Sequence, residues 1–502
     1  MKTMSLALHS SRSRWLRTLA GVFGLVLITS LGISACGGGG GDTASPNKGQ
    51  VNISLTDAEG DFVSYTVDVL SLTLTKTNGA VVQTLPLKTR VDFARYTDVT
   101  EFLASASVPR GVYVKGTIKL DYRNADIEVE DAKGDAVKVS KIVDGNGDPI
   151  TTLDAAFKLD GLNVLPIVPG APKYLSLDFD LKASNTVTFD ANSIPSLTVA
   201  PLLVAKVDKE SDKALRLRGP LKSVNANNNS FQVFVRPFFH AIAKGTHFGT
   251  IHVNTDSNTV YEIDGQSYQG QDGLFALSDL SKLTGVVVLG KMKFKPRRFE
   301  AHEVYAGSSI PGGNMDAVQG SVVARNGDVV TLRGVTLIRK NGSIVFSDNV
   351  AVTLTNNTKV FKQGSATAYA KDDISVGQRL SVFGTLTNTS INQLELDAAD
   401  GYARMLVTRL RGTVVTKDAT PTFDVELNSI NGRNPSLYDF AGTGASAAED
   451  ADPLNYEIDT STLNVSAFAV GNKLAVGGFV RPFGQAPKDF TANTLVSHPS
   501  NK

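Results

Sequence analysis

Between residues 51 and 206 apolar and polar side chains alternate in short runs, as in YTVDVLSLTLTKTNGAVVQTL and KYLSLDFDLKA. A period of two is the mark of a strand with one buried face, and Asn78-Gly79 between two such runs predicts a tight hairpin turn. The pattern predicts an antiparallel β-sandwich over 51–206. Beyond it the chain repeats itself. Each unit opens with a polar residue, a glycine and a strand, at Arg218-Gly219, Gln319-Gly320 and Arg411-Gly412. Each closes on a strand that ends in glycine, at Gly290, Gly384 and Gly478. The opening glycines lie 101 and then 92 residues apart, a self-similarity that predicts three domains, placed at 215–309, 314–403 and 405–498.

Within each unit a strand near Val260, Val360 and Leu463 precedes a link of helical character, LFALSDLSKL, AYAKDDISV and NVSAFAV, and then the closing pair of strands. Five strands with a short helix before the fourth is the pattern of an OB-like barrel, whose closure removes exposed strand edges. The fold class expected is therefore all-β, an N-terminal antiparallel β-sandwich followed by three tandem OB-like β-barrels. A period near 90 residues is too long for a solenoid, so the domains read as beads on a string. The openings VNISLTDAEGDFVSYTVDVLSLTL and VPRGVYVKGTIKLDY resemble an uncharacterised domain family of bacterial lipoproteins. That resemblance implies a sandwich and no particular activity. The three later units resemble a small β-barrel family of unknown function that recurs in tandem in bacterial envelope proteins.

The N-terminus supplies an address. Residues 1–35 contain Lys2, Arg12, Arg14 and Arg17, no acidic residue, and an apolar run over 19–33. This is the anatomy of a signal peptide, and the run falls short of the roughly 20 residues that span a bilayer comfortably. Arg12 and Arg14 are separated by Ser13, so the twin-arginine pattern is missing. The run ends in Ile33-Ser34-Ala35-Cys36, which resembles the lipobox of bacterial lipoproteins; Cys36 is the only cysteine in the chain. The resemblance implies cleavage before Cys36 and a diacylglycerol and an acyl chain such as palmitate on that residue. The alternatives are an ordinary secretory signal or an uncleaved anchor. Residues 36–50, glycine followed by small polar side chains, read as a flexible tether. Gly37, where enterobacterial lipoproteins retained at the inner membrane carry aspartate, leans the resemblance towards the outer membrane, with the domains periplasmic or at the cell surface.

Composition narrows the function classes. Without the four basic signal residues the chain has 46 basic and 49 acidic residues, so no global charge argues for nucleic acid. With no second cysteine there is no disulfide, and stability rests on packing. Trp15, the only tryptophan, lies in the signal peptide, which weakens a carbohydrate-stacking reading.

Charge is nevertheless uneven. Residues 215–306 hold 11 basic and 7 acidic residues, against 15 and 20 over 50–206. Lys291, Lys293, Lys295, Arg297 and Arg298 interleave with Phe294, and Arg236 lies in RPFFHAIAK. Basic, aromatic-lined grooves on such barrels bind polyanions, so lipopolysaccharide phosphates or acidic envelope polysaccharide are the candidate ligands, with nucleic acid disfavoured for an exported chain. The competing reading is a solvated edge guarded by lysines. His240, His247, His252 and His302 fall in the same unit and form a weak candidate for zinc or copper. His247 and His252, five residues apart, would face opposite sides of one strand. Asp144, Asn146 and Asp148 in DGNGDP imitate the start of a calcium loop, but Pro149 and Ala155 stand where an EF-type loop needs glycine and glutamate. A tight turn is the simpler reading, as it is for Asp57 and Asp61 in LTDAEGD.

No nucleophile elbow, phosphate loop, HExxH helix or dinucleotide fingerprint occurs. The expectation is a membrane-anchored, non-catalytic binding or adhesion module without a resident cofactor, partnered by the membrane through its lipid and by an envelope polysaccharide, lipopolysaccharide or protein. The alternative is a periplasmic scaffold that spaces the anchor from a protein or peptidoglycan partner; a hydrolase or a metal-binding protein ranks below both.

Overall fold

The computed structural model describes residues 47–498, apart from 58–61, 97–98, 132, 134, 212, 237–247, 391–392, 418–420, 462 and 467. The fold is all-β, built from several sheets and small barrels. Among the described residues the only α-helices are Leu181–Ser184 and Gly270–Ser278.

Alternation produces strands where it is strongest. Phe62–Lys76 and Gly111–Glu130 pair antiparallel along most of their length, from Phe62 opposite Val129 to Lys76 opposite Tyr113. Tyr65, Val67, Val69, Leu72 and Leu74 turn inward and are buried. The Asn78-Gly79 turn is present: Gly79 has φ +84°, a left-handed value that costs glycine little, and Lys76 N donates to Ala80 O at 2.9 Å.

The first unit departs from a purely antiparallel sandwich. Lys48–Thr56 pairs antiparallel with Val99–Pro109 but parallel with Lys173–Phe179. Parallel neighbours need a long crossover, and the whole of 57–172 supplies it. Lys48, Gly49 and Gln50, expected outside the folded unit, already pair in its first strand, with Pro109, Val108 and Ser107. Strand Lys173–Phe179 ends where Asp180 caps the helix Leu181–Ser184 by accepting from Ala183 N at 2.9 Å.

Each later unit closes a ring of five strands in the same order. In the first, Ala214–Asn225, Ser230–Phe234, Thr250–Asn254, Arg297–Ala306 and Gly285–Phe294 pair in turn and return to the start. The second runs through Asp316–Asn326, Val329–Ile338, Ile344–Thr353, Leu394–Leu406 and Arg379–Asn388. The third, from Thr408–Lys417 to Phe490–His498, is a closed barrel. One parallel pair closes every ring. The expected helical link forms only in the first, where Leu274 and Leu277 bury one face of Gly270–Ser278. The second has a single 3-10 turn, Lys371–Asp373, and among the described residues of the third link there is no helix.

The repeated closing glycines share one cause. A Cβ on Gly290, Gly384 or Gly478 would lie 2.0, 2.2 and 2.0 Å from the carbonyl oxygens of Glu300, Asp397 and Thr491 on the partner strand. At each place the register shifts by a bulge, which bends the pair so that the ring can close. Only glycine lets the backbones approach so closely.

The units are not beads on a string. Strand Val99–Pro109 of the first unit pairs parallel with Ala214–Asn225 of the first ring, so one 11-stranded sheet spans both. A continuous apolar core runs from Val51 to Ala306, and a second from Val318 to Ala492. Buried polar contacts join the two. Arg404 Nε lies 2.7 Å from Glu262 Oε2, Nη2 donates to Ser309 O at 2.8 Å, and the guanidinium sits 3.8 Å from the Tyr305 ring centroid. The first unit also reaches the later rings through Arg333 to Asp135 and Arg433 to Glu130, at 3.0 and 2.5 Å.

Two outcomes follow. Arg404→Met leaves Glu262 as a buried unpaired charge and should lower stability by roughly 3–5 kcal/mol in denaturant titrations, with Glu262→Gln in the same chain recovering much of the loss. Gly384→Ala should cost about 2 kcal/mol or more, whereas Gly145→Ala, with nothing within 4 Å of the new Cβ, should change stability little.

Candidate functional site

The basic segment forms a hairpin, Gly285–Phe294 with Arg297–Ala306. The period of two buries Val286, Val288, Met292, Phe299, Ala301 and Val304 against the first ring's core. The opposite face carries Lys291 and Arg298 exposed, with Lys293 half-buried, and the turn between the strands carries Lys295, also exposed. Arg298 ion-pairs with Glu300, and Lys291 stands opposite Glu300 in the ladder. Lys291 and Lys295 are thus open to an anionic group from solvent.

Three residues expected in that site are used elsewhere. Arg297 Nη2 lies 2.8 Å from Asp208 Oδ2 and Nη1 donates to Pro172 O, so its guanidinium ties the hairpin to the first unit. Phe294 packs against the core and lies 6.0 Å from the Tyr174 ring, so it is not an open stacking platform. Arg236 is buried beside the start of the ring, its backbone N donating to Arg218 O at 2.7 Å. Burial holds its guanidinium below the usual arginine range.

His240 and His247 lie outside the described residues, as does Cys36. His252 and His302 are both exposed, on Thr250–Asn254 and Arg297–Ala306. These strands pair parallel with Asn254 opposite Glu300, which offsets the two histidines by four residues, about 13 Å along the strands. That separation prevents the pair from sharing an ion. Among the described residues no group of three His, Cys, Asp or Glu is placed to hold a metal.

Asp144 closes a turn. Its Oδ1 accepts from Asn146 N at 2.8 Å and Asp148 N at 3.0 Å, and Gly147 takes φ +88°. These bonds to the ionised form hold its carboxyl below the usual range. Asp131 and Asp190 close turns with the same pair of bonds, which is structural chemistry.

A buried acid was read from sequence only as a turn residue. Asp57 is fully buried, and its Oδ1 accepts from Leu181 N at 3.0 Å, tying the opening strand to the helix Leu181–Ser184. Lys213 donates to the Asp57 carbonyl and to Thr56 Oγ1. Burial outweighs the Leu181 bond and the Lys213 charge and pushes the Asp57 carboxyl up to about 8, with Asp178 and Asp180 adding to the rise. Asp61 lies outside the described residues. Nothing within LTDAEGD signals this environment, because every partner comes from another element. A second buried acid, Asp489, pushed up to about 7 by burial, lines a cavity of about 10 Å³ with Tyr456, Thr443 and Arg481, between the second and third rings. That space suits about one water molecule.

Residues 48–194 match a family model described as a domain of unknown function, DUF4382. The match lies within the first unit and leaves the three rings outside it. No curated protein matches the chain. A solved structure titled "drosophila Unr CSD456" shares 10% identity over 58% of this chain and 100% of its own, with a TM-score of 0.14. One from Parabacteroides distasonis ATCC 8503, titled "Putative cell adhesion protein", shares 10% over 72% of this chain and 99% of its own, again with a TM-score of 0.14. At these scores neither likeness bears on what this chain does.

The Asp57 carboxyl gives a pH prediction. Its folded value of about 8 lies above the ordinary 3.8, so the native state keeps a proton that the unfolded chain releases. The stability that Asp57 contributes is fully present below about pH 4, is lost as pH rises towards 8 and is gone above it. Glu128 and Asp489, each pushed up to about 7 by burial, act in the same direction. Asp57→Asn keeps an acceptor for Leu181 and should flatten part of this slope, read as the urea midpoint against pH.

Proposed function

We propose that the chain is a bacterial envelope lipoprotein, acylated on Cys36 and held at the outer membrane, whose β units together form a non-catalytic binding or adhesion platform. The observation that carries this reading is the fusion of the units. A sheet shared across Val99–Pro109 and Ala214–Asn225, with buried ion pairs to the later rings, gives a body whose surfaces keep fixed relations. Such a body suits presentation of contact surfaces to an envelope polysaccharide, lipopolysaccharide or protein. Tandem sites on flexible linkers would gain avidity differently, through effective concentration. The same ring order in all three later units supports their reading as OB-like barrels, a scaffold whose outer faces tolerate varied ligands.

The rigidity also favours the second reading, a periplasmic spacer. Strand Leu394–Leu406 is followed after one residue by Thr408–Lys417, and Val407 N donates to Gln363 Oε1 at 3.1 Å, so the second and third rings meet without a linker.

Metabolic labelling with a fatty acid should mark the wild-type chain and leave Cys36→Ala unlabelled; label on both, or on neither, overturns the lipoprotein reading. Protease added to intact cells should then remove the domains if the platform faces outward. Protection until the outer membrane is permeabilised would select the spacer.

A further inference from the structure

Several strand ends converge where the chain enters the body. The opening strand starts at Lys48 beside Pro109, and Asn47 O accepts from Arg110 N at 2.9 Å. Val51 is the register partner of Lys173, so the parallel strand starts at the same end. The antiparallel strand Leu203–Val207 finishes there, with Val207 opposite Leu175. Lys173 Nζ lies 2.6 Å from Asp208 Oδ2, and Arg297 Nη2 lies 2.8 Å from the same oxygen. That bond places the tip of the basic hairpin at this end too. Asn163 Oδ1 accepts from Val207 N at 3.3 Å, which adds the turn Gly161–Asn163.

The side chains gathered there are basic and apolar. Lys48, Arg110, Lys209, Lys295 and Arg298 are exposed. Leu162 is wholly exposed, at 101%, and Val168 and Val112 are exposed at 49% and 39%. The exposed acids among them are Asp160 and Glu210, while Asp208 is engaged by Lys173 and Arg297, and the half-buried Glu300 by Arg298. Over the first unit as a whole acids outnumber bases, 20 to 15 in residues 50–206, so the exposed cations at this end run against the unit's balance.

We propose that this end is a membrane-docking face that binds anionic phospholipid headgroups, with Lys295 and Arg298 at the hairpin tip on the phosphates and Leu162 and Val168 entering the headgroup layer. The proposal rests on the reading of Cys36 as the lipid anchor. Lys48 follows Cys36 by twelve positions, a reach of about 40 Å when fully extended, and the described chain starts at this face. Cations act on a charged surface only within about 8 Å at physiological salt, so the face nearest the anchor is where positive charge has an effect. A basic patch beside a lipid chain is a second membrane signal. It would hold the platform in one orientation, with the hairpin tip of the first ring towards the membrane.

The test uses the mature chain from residue 36 with Cys36→Ala, which removes the acyl chains and leaves only the surface. It should sediment with vesicles containing phosphatidylglycerol and not with pure phosphatidylcholine, and rising salt should release it. Lys295→Glu with Arg298→Glu should lower partitioning about tenfold or more. Lys133→Glu with Lys182→Glu, both exposed and lying beyond the far ends of strands Gly111–Glu130 and Lys173–Phe179, changes net charge equally and should leave partitioning unchanged. Absence of binding, equal binding to both vesicles, or equal loss in both double variants overturns the proposal. So does hairpin-dependent retention on heparin without vesicle binding, which would assign the face to a soluble polyanion. Acylation of wild-type Cys36 is read separately, so failure of the anchor and failure of the face are distinguishable.

Discussion

Glu101 has no exposed surface and lies between two arginines of the next unit, with Arg216 against one carboxylate oxygen and Arg218 Nε 2.8 Å from the other. A buried carboxylate without partners would be severely destabilising, so first unit and first ring are bound to a single relative placement. The strand that carries Glu101 pairs on one side with the opening strand and on the other with Ala214–Asn225. Sheet, core and ion pairs therefore impose the same arrangement, and the position of every outward side chain follows from it.

The three rings meet a shared mechanical demand with a shared device. Closing five strands requires a sharp bend in the last pair, and each ring obtains it from a bulge at a glycine. This is why the repeat is visible as glycines while the outward faces diverge. The cations of the first hairpin sit on such a free face, where ring closure places no demand on side-chain type. Fold and surface chemistry are in this sense separable.

Much of the candidate site was legible because strand alternation is local. Lys291 and Lys293 alternate with the buried Met292 on one strand as their spacing implied, while Lys295 lies in the turn that follows, and Asp144 closes a turn as its neighbours implied. The engagement of Phe294 and Arg297 was not legible because their partners are remote. Arg297 meets Pro172 and Asp208, 125 and 89 residues away, and Tyr174 receives Phe294. Such partners carry no local period that could announce them. The separation of His252 from His302 depends likewise on the register of two non-adjacent strands.

Alternation, turn residues and repeated glycines by themselves determined that the chain is all-β, and that a distinct first unit precedes three similar ones, since these signals depend on backbone geometry within a few residues. Only the tertiary structure decided that the units fuse, that Lys48–Thr56 has a parallel neighbour, and that Asp57 and Glu101 lose water entirely. Those outcomes depend on which surfaces exclude solvent together, and a side chain's desolvation is set by contacts contributed from across the chain.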